Sequence, residues 1–323
     1  MTTEVGMLIN QGRVEEVWQR FCGFLALTMD EFMAMQERLL HEQIQMVSKS
    51  ELGRALMGDR VPQSVQEFRE RVRLTTYEDY APYFKDKRED VLSEKPVAWA
   101  HTSGRSGEYK WAPYTARQFR LLGEGVLTAF ILSNAHRRGE VGIRPGDTLF
   151  YNAPARPYTS GHALVSLAEL VDFRFLPPAD KTEEMTFEQR IATSFRMALR
   201  YGVDQVGSIS SVLLRVAQSF ERGANSSGFS IEALHPRVLA RLGRGFVRSK
   251  LQHRPLLPSD LWRVKGMLVG GTDTDIYRER LERYWGCPPH ELYACTEAPN
   301  IMAVGIWTHR EMYFLPHVCF YEF

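Results

Sequence analysis

From residue 146 onward, short β-prone apolar runs alternate with segments of helical length, and few architectures accept that order. Residues 146–152 (GDTLFYN) read as a buried strand after a Pro-Gly turn. A helix near 160–171, a strand near 173–176 and a helix near 187–201 follow. A strand at 205–208 then precedes a helix near 210–222, and a strand at 267–269 precedes helical 274–285. Strands at 291–293, 301–307, 311–315 and 318–323 complete the pattern. Such alternation predicts a layered α/β fold, because each strand run needs helices to cover its faces.

The upstream half is mostly helical. Residues 14–47 repeat apolar side chains at helical spacing (Val14, Val17, Trp18, Phe21, Leu25, Phe32, Met35, Leu39), which reads as one or two long helices with a core-facing stripe. Residues 62–84 read as a short helix leading into an aromatic loop. A strand at 97–101 (VAWAH) and a return strand at 110–114 flank a Gly-rich loop. Thr115 is placed to cap a helix running to about Arg138, with Phe119, Leu122, Val126, Phe130 and Ile131 on its apolar side. The expected division is a helical segment at 1–61 packed on a main domain at 62–323, the latter incomplete at its C-terminal end. The final FLPHVCFYEF is apolar and stops without turn residues, as a strand missing its neighbour would.

The 323 residues are 44% hydrophobic and 24% charged with a net charge of +1, so a large core is affordable and no nucleic-acid partner is called for. The basic cluster at 237–254 (Arg241, Arg244, Arg248, Lys250) reads as a solvated face or a subunit contact. No apolar run nears the roughly 18 residues of a membrane span. Neither a signal-peptide order nor a CxxC pair is present, so a cytoplasmic chain with reduced thiols is expected.

The chemistry-bearing stretch is 102–110 (TSGRSGEYK). Gly104 and Gly107 let backbone N–H groups approach phosphate oxygens, Thr102, Ser103 and Ser106 add hydroxyls, and Arg105 and Lys110 add charge. A plain hairpin turn would account for the glycines but not for that crowd of donors. The stretch is neither a Walker A loop nor a G-x-G-x-x-G fingerprint. Gly270, Gly271 and Thr272 follow a strand and open a helix, where bare backbone could lie along a flat ring or simply make a tight turn. Tyr293, Thr296 and Glu297 end the next strand. There a tyrosine can stack on a purine, a threonine can donate to a phosphate and a carboxylate can hold Mg²⁺.

In this order, TSGxSGxxK, GGT and YxxTE resemble the motifs of the adenylate-forming superfamily: acyl-CoA synthetases, luciferases and peptide-synthetase adenylation domains. Residues 74–84 (LTTYEDYAPYF), the TSG-x-SG-x-x-K-x-x-PYT form at 102–115 and the closing MYFLPHVCFYEF are similar, within it, to the auxin-responsive, Gretchen Hagen type of acyl-acid amido synthetase. The resemblance covers about residue 62 to the end. It implies the N-terminal domain of such an enzyme, mixed β-sheets flanked by helices with the C-terminal lid domain absent.

The resemblance also assigns roles. Thr102, Ser103, Gly104, Ser106, Gly107 and Lys110 match the phosphate loop, with Arg105 standing where Thr or Ser is usual. Gly270, Gly271 and Thr272 match the adenine segment, and Tyr293, Thr296 and Glu297 match the base-stacking, α-phosphate and Mg²⁺ positions. For the acyl site, residues 153–162 after a strand point to Tyr158 and His162, with Ser210 and Ser211 as further candidates. His162 reads equally well as a packed helix-start histidine, and His101 and His317 read as packing residues.

The implied reaction is ATP-dependent activation of a small carboxylic acid as its adenylate, with Lys110 and Thr296 catalytic. Transfer to an amine or thiol acceptor would then depend on a C-terminal domain. This chain alone is expected to bind ATP and adenylate poorly. A non-catalytic nucleotide- or small-acid-binding protein that retains the fold is the alternative.

Overall fold

Residues 2–58, 60–102, 108–221, 235–271, 274–298, 300–307 and 311–323 are described by a computed structural model. The stretch 225–228 (NSSG), which by composition reads as a flexible turn, lies outside them. Helices α1 (Glu4–Asn10), α2 (Val14–Cys22), α3 (Met29–Val47), α4 (Glu51–Met57), α5 (Val65–Arg71) and α6 (Tyr77–Phe84) open the chain. The apolar stripe at 14–47 is thus divided between α2 and α3. Thr28 ends the first part by capping the second: its hydroxyl accepts from the Glu31 N–H, and the Glu31 carboxylate accepts from the Thr28 N–H at 2.8 Å. The aromatic stretch after α5 is a helix rather than a loop, because the Asp79 carboxylate accepts from the Thr76 N–H at 2.8 Å and starts α6.

A two-stranded hairpin, β1 (Ala98–His101) and β2 (Trp111–Tyr114), leads into α7 (Ala116–Asn134). Thr115 caps α7 through a reciprocal pair with Gln118. The alternating part follows as β3 (Thr148–Asn152), α8 (Thr159–Leu170), β4 (Arg174–Leu176), α9 (Phe187–Tyr201), β5 (Gln205–Ile209) and α10 (Ser210–Glu221). It continues as α11 (Pro236–Leu251), α12 (Pro258–Leu261), β6 (Gly266–Gly270), α13 (Thr274–Trp285), β7 (Pro289–Cys295), β8 (Asn300–Gly305) and β9 (Met312–Phe314).

Seven strands form one sheet in the order β4-β3-β5-β6-β7-β8-β9. The first five run parallel, and β8 and β9 are added antiparallel. The layered α/β fold expected from the sequence is therefore the one observed. The central strands are buried along their length, as parallel strands covered on both faces must be. One core joins α1, α2, α7 and α8 through Trp18, Phe21, Phe130 and Leu167. The other joins α9, α10, α11 and α13, with Trp262 stacked on Trp285 at 5.9 Å. At the N-terminal ends of the strands, Asn134 donates to Gln205, and Gln205 to Asp147, which is ion-paired with Lys265.

The strand expected at 318–323 is not formed. Gln36 of α3, 2% exposed, takes up the backbone there instead. Its Nε2 donates to the carbonyls of Pro316 (2.8 Å) and Cys319 (3.1 Å), and its Oε1 accepts from the Tyr321 N–H at 2.8 Å. A helix side chain thereby satisfies groups that a neighbouring strand would otherwise serve. Among the described residues, no helix is long and apolar enough to cross a membrane.

Candidate functional site

The carboxyl ends of β3, β5, β6 and β7 open into a cavity of about 390 Å³. The strand order reverses between β3 and β5, so connections leave that point in opposite directions and a crevice remains where ligands of open α/β sheets bind. The buried part of the lining comes from one stripe of α7 (Leu122, Val126, Phe130), from Ala163, and from Gly207, Ser208, Leu268 and Ile301 of the sheet. The more exposed part comprises Ala153, Pro154, Thr159, Ser160, Gly270, Gly271, Cys295 and Thr296. Among the described residues, none of the lining side chains is a carboxylate, an amine or a guanidinium.

Two glycines are required by this geometry. Gly271 has φ +131°, a region that only glycine enters without strain. At Gly161 a Cβ would lie 2.0 Å from the Arg156 backbone nitrogen, so only a bare Cα lets the loop after β3 fold back onto the first turn of α8.

Three hydroxyls meet at the cavity. Tyr114 Oη is 2.8 Å from Thr159 Oγ1, which is 2.8 Å from Thr296 Oγ1, and Tyr114 Oη also lies 3.3 Å from the Thr296 carbonyl. Tyr114 is fully buried, and burial pushes its phenol pKa well up, so it keeps its proton. Tyr151 donates to the Ser160 carbonyl at 2.8 Å, and Ser208 to the Asn152 carbonyl at 2.9 Å, which holds the walls after β3 and β5.

The hairpin flanks residues 103–107. Its two posts are joined where the Thr102 N–H donates to the Lys110 carbonyl at 3.1 Å. Lys110 Nζ lies 5.1 Å from the centre of the Tyr77 ring, whose hydroxyl accepts from the Trp111 N–H at 2.8 Å. Helix α6 thus supports the strand that follows the loop. Ser103, Gly104, Arg105, Ser106, Gly107 and Thr272 lie outside the described residues.

The remaining candidates are dispersed. Gly270, Gly271 and Thr296 line the cavity, while Tyr293 and Glu297 are exposed on the segment that carries Thr296. Tyr158 packs its ring 4.4 Å from that of His101, at the base of the hairpin. His162 is buried between Tyr114 and Phe119, outside the cavity lining. Burial lowers its pKa against a smaller opposing pull from the Trp99 backbone, which favours the neutral ring. Ser210 is buried with its hydroxyl 2.7 Å from that of Thr274, tying α10 to α13, and Ser211 is exposed. The residues that do face the cavity near these positions are Tyr151, Ala163, Gly207, Ser208 and Ile209, none of them among the candidates read from the sequence.

The model of the GH3 family N-terminal domain matches residues 23–225. No curated protein matches the sequence. Among solved structures, 2-hydroxyisobutyryl-CoA ligase in the postadenylation state is similar in two complexes. With R3-HIB-AMP the identity is 13% and the TM-score 0.54, and with 2-HIB-AMP they are 15% and 0.51; each match covers 86% of this chain and 51% of that chain. The chain thus spans about half the length of those structures. At such identities the likeness shows a shared fold and nothing finer.

Proposed function

The chain belongs to the GH3 family, and from that premise we propose that it activates a carboxylic acid with ATP, forming an acyl-adenylate and releasing pyrophosphate. The observation that carries this reading is the cavity itself. One part is uncharged and apolar, suited to an acyl tail, and it continues to Gly270, Gly271 and Thr296 at the strand ends, suited to a nucleotide. The acid's carboxylate would attack the α-phosphorus in line, so no side-chain nucleophile is needed and positioning supplies most of the rate.

In this reading the loop 102–110 grips the phosphates, with Lys110 as its cation. The backbone of Gly270, Gly271 and Thr272 lies along adenine, Tyr293 stacks on it, and Thr296 donates to the α-phosphate. Among the described residues no three His, Cys, Asp or Glu side chains cluster. The exposed carboxylate of Glu297 would give a Mg²⁺ one hard oxygen ligand, with phosphate and water completing its shell, and that ion would supply charge neutralisation. Transfer of the acyl group to an amine or thiol belongs to the same proposal. A reducing, cytoplasmic setting suits the four free cysteines.

The test is acid-dependent exchange of labelled pyrophosphate into ATP across a panel of carboxylic acids, with hydroxylamine trapping of the adenylate. Exchange that requires a particular acid supports the reading. Absence of both exchange and ATP binding would sink it.

A further inference from the structure

We propose that Tyr114 and Thr159 are positioning residues that aim the hydroxyl proton of Thr296 at the phosphate of a bound nucleotide, an inference that rests on the adenylating role above. The argument is a count of protons. A hydroxyl has one proton to give and lone pairs to accept with. Along the row Tyr114–Thr159–Thr296, with both steps at 2.8 Å, two directions are possible. If Thr296 donates to Thr159, its proton is turned inward and only lone pairs face an incoming anion. If instead Tyr114 donates to Thr159 and Thr159 donates to Thr296, the Thr296 proton is left over and points outward. Only the second direction serves a phosphate.

The surroundings favour the second direction. Tyr114 is fully buried on β2 and holds its proton, so it is a standing donor at the closed end of the row. Its alternative acceptor, the Thr296 carbonyl, is farther away at 3.3 Å. Thr159 is the first residue of α8, one past the N-cap position held by Tyr158, and its hydroxyl reaches both Tyr114 and Thr296. The row also ties β2 to two segments that line the cavity, the start of α8 and the end of β7.

The test compares AMP with adenosine, which differ by the phosphate, in calorimetric titrations of the chain. Wild type, Tyr114→Phe, Thr159→Val and Thr159→Ser are measured, each with its melting temperature. Tyr114→Phe and Thr159→Val are expected to weaken AMP about tenfold, the scale of a hydrogen bond to a charged group, while adenosine affinity stays unchanged. Thr159→Ser, which keeps the hydroxyl, should retain wild-type AMP affinity. Equal losses for AMP and adenosine would mean a merely structural role and overturn the proposal, as would unchanged AMP affinity in both deletions. Failure of the wild-type chain to bind either compound would remove the nucleotide reading itself.

Discussion

Gly207 is the residue whose replacement should tell most about the acyl end of the cavity. It sits in the middle of β5 and lines the cavity together with Tyr151 and Phe130. A Cβ built there would lie 3.0 Å from Tyr151 Cδ2 and 3.3 Å from Phe130 Cζ. Neither ring can retreat easily: Phe130 is fully buried, and Tyr151 is tethered by its hydroxyl to the Ser160 carbonyl. Overpacking of this kind costs about 1–3 kcal/mol. Replacing glycine by alanine where φ is not positive returns about 0.4–1 kcal/mol through the unfolded chain. Gly207→Ala should therefore lower stability by only about 1 kcal/mol, a few degrees in Tm. Its effect on the acid should be larger, because one methylene's worth of pocket space discriminates by about 1–3 kcal/mol, or roughly 10–200-fold in kcat/KM. The assay is pyrophosphate exchange with a homologous series of acids. The preferred chain length should shorten in Gly207→Ala and again in Gly207→Val, with KM for ATP unmoved. Both variants folding with the wild-type acid preference would refute the assignment of this end to the acyl group.

Lys110→Ala should reduce ATP affinity at least about tenfold through loss of a charge-assisted contact, leaving adenosine binding unchanged; titration calorimetry checks both. His290 on β7 is desolvated and its pKa is pushed down to about 4, against about 6.5 in an unfolded chain. Between those values only the unfolded chain takes up the proton, so stability should fall as pH drops from about 6.5 to about 4, by on the order of 3 kcal/mol. His290→Gln should flatten that slope in urea melts at pH 7.5 and 5. Burial works against the charge of Asp260, yet two bonds from Arg254 at 2.7 and 2.8 Å and one from the Leu257 N–H outweigh it and lower its pKa. Its contribution should be complete above about pH 4 and lost as pH falls through the lowered value, and Asp260→Ala should cost about 1–3 kcal/mol at pH 7 by removing these bonds. An unchanged denaturation midpoint in that variant would count against the ion pair as a clamp.

What could be read from the sequence follows the range of the forces involved. Helices α9 and α13 were legible to the residue, because capping and periodicity are local: Thr186 starts α9, and Gly202, with φ +97°, ends it. The strand order was legible only as a class, since pairing β3 with β5 rather than with its sequence neighbours alone is decided by packing. Gln36 shows the limit plainly, for no local pattern says that a helix glutamine will serve a segment some 280 residues away.

The cavity was harder to read for a different reason. A ligand space is made by what side chains leave out, and omission has no sequence signature. Leu122, Val126 and Phe130 recur on one face of α7, and the same stripe would result whether it filled a core or walled a pocket. The candidates His162, Ser210 and Ser211 stand outside the lining, and the cavity is shaped beside them by Ala163, Gly207 and Ser208. Ser210 spends its hydroxyl on Thr274, and His162 is enclosed by aromatic rings. Thr296 was visible because its motif is contiguous, but the hydroxyls that orient it stand at 114 and 159, and only the fold brings them within hydrogen-bond distance. The groups that would touch a nucleotide are thus short-range features of the chain, and those that would select an acid are long-range ones. Substitutions at Gly207 and at Tyr114 should therefore separate the two ends of the site, changing acid preference in the first case and phosphate affinity in the second.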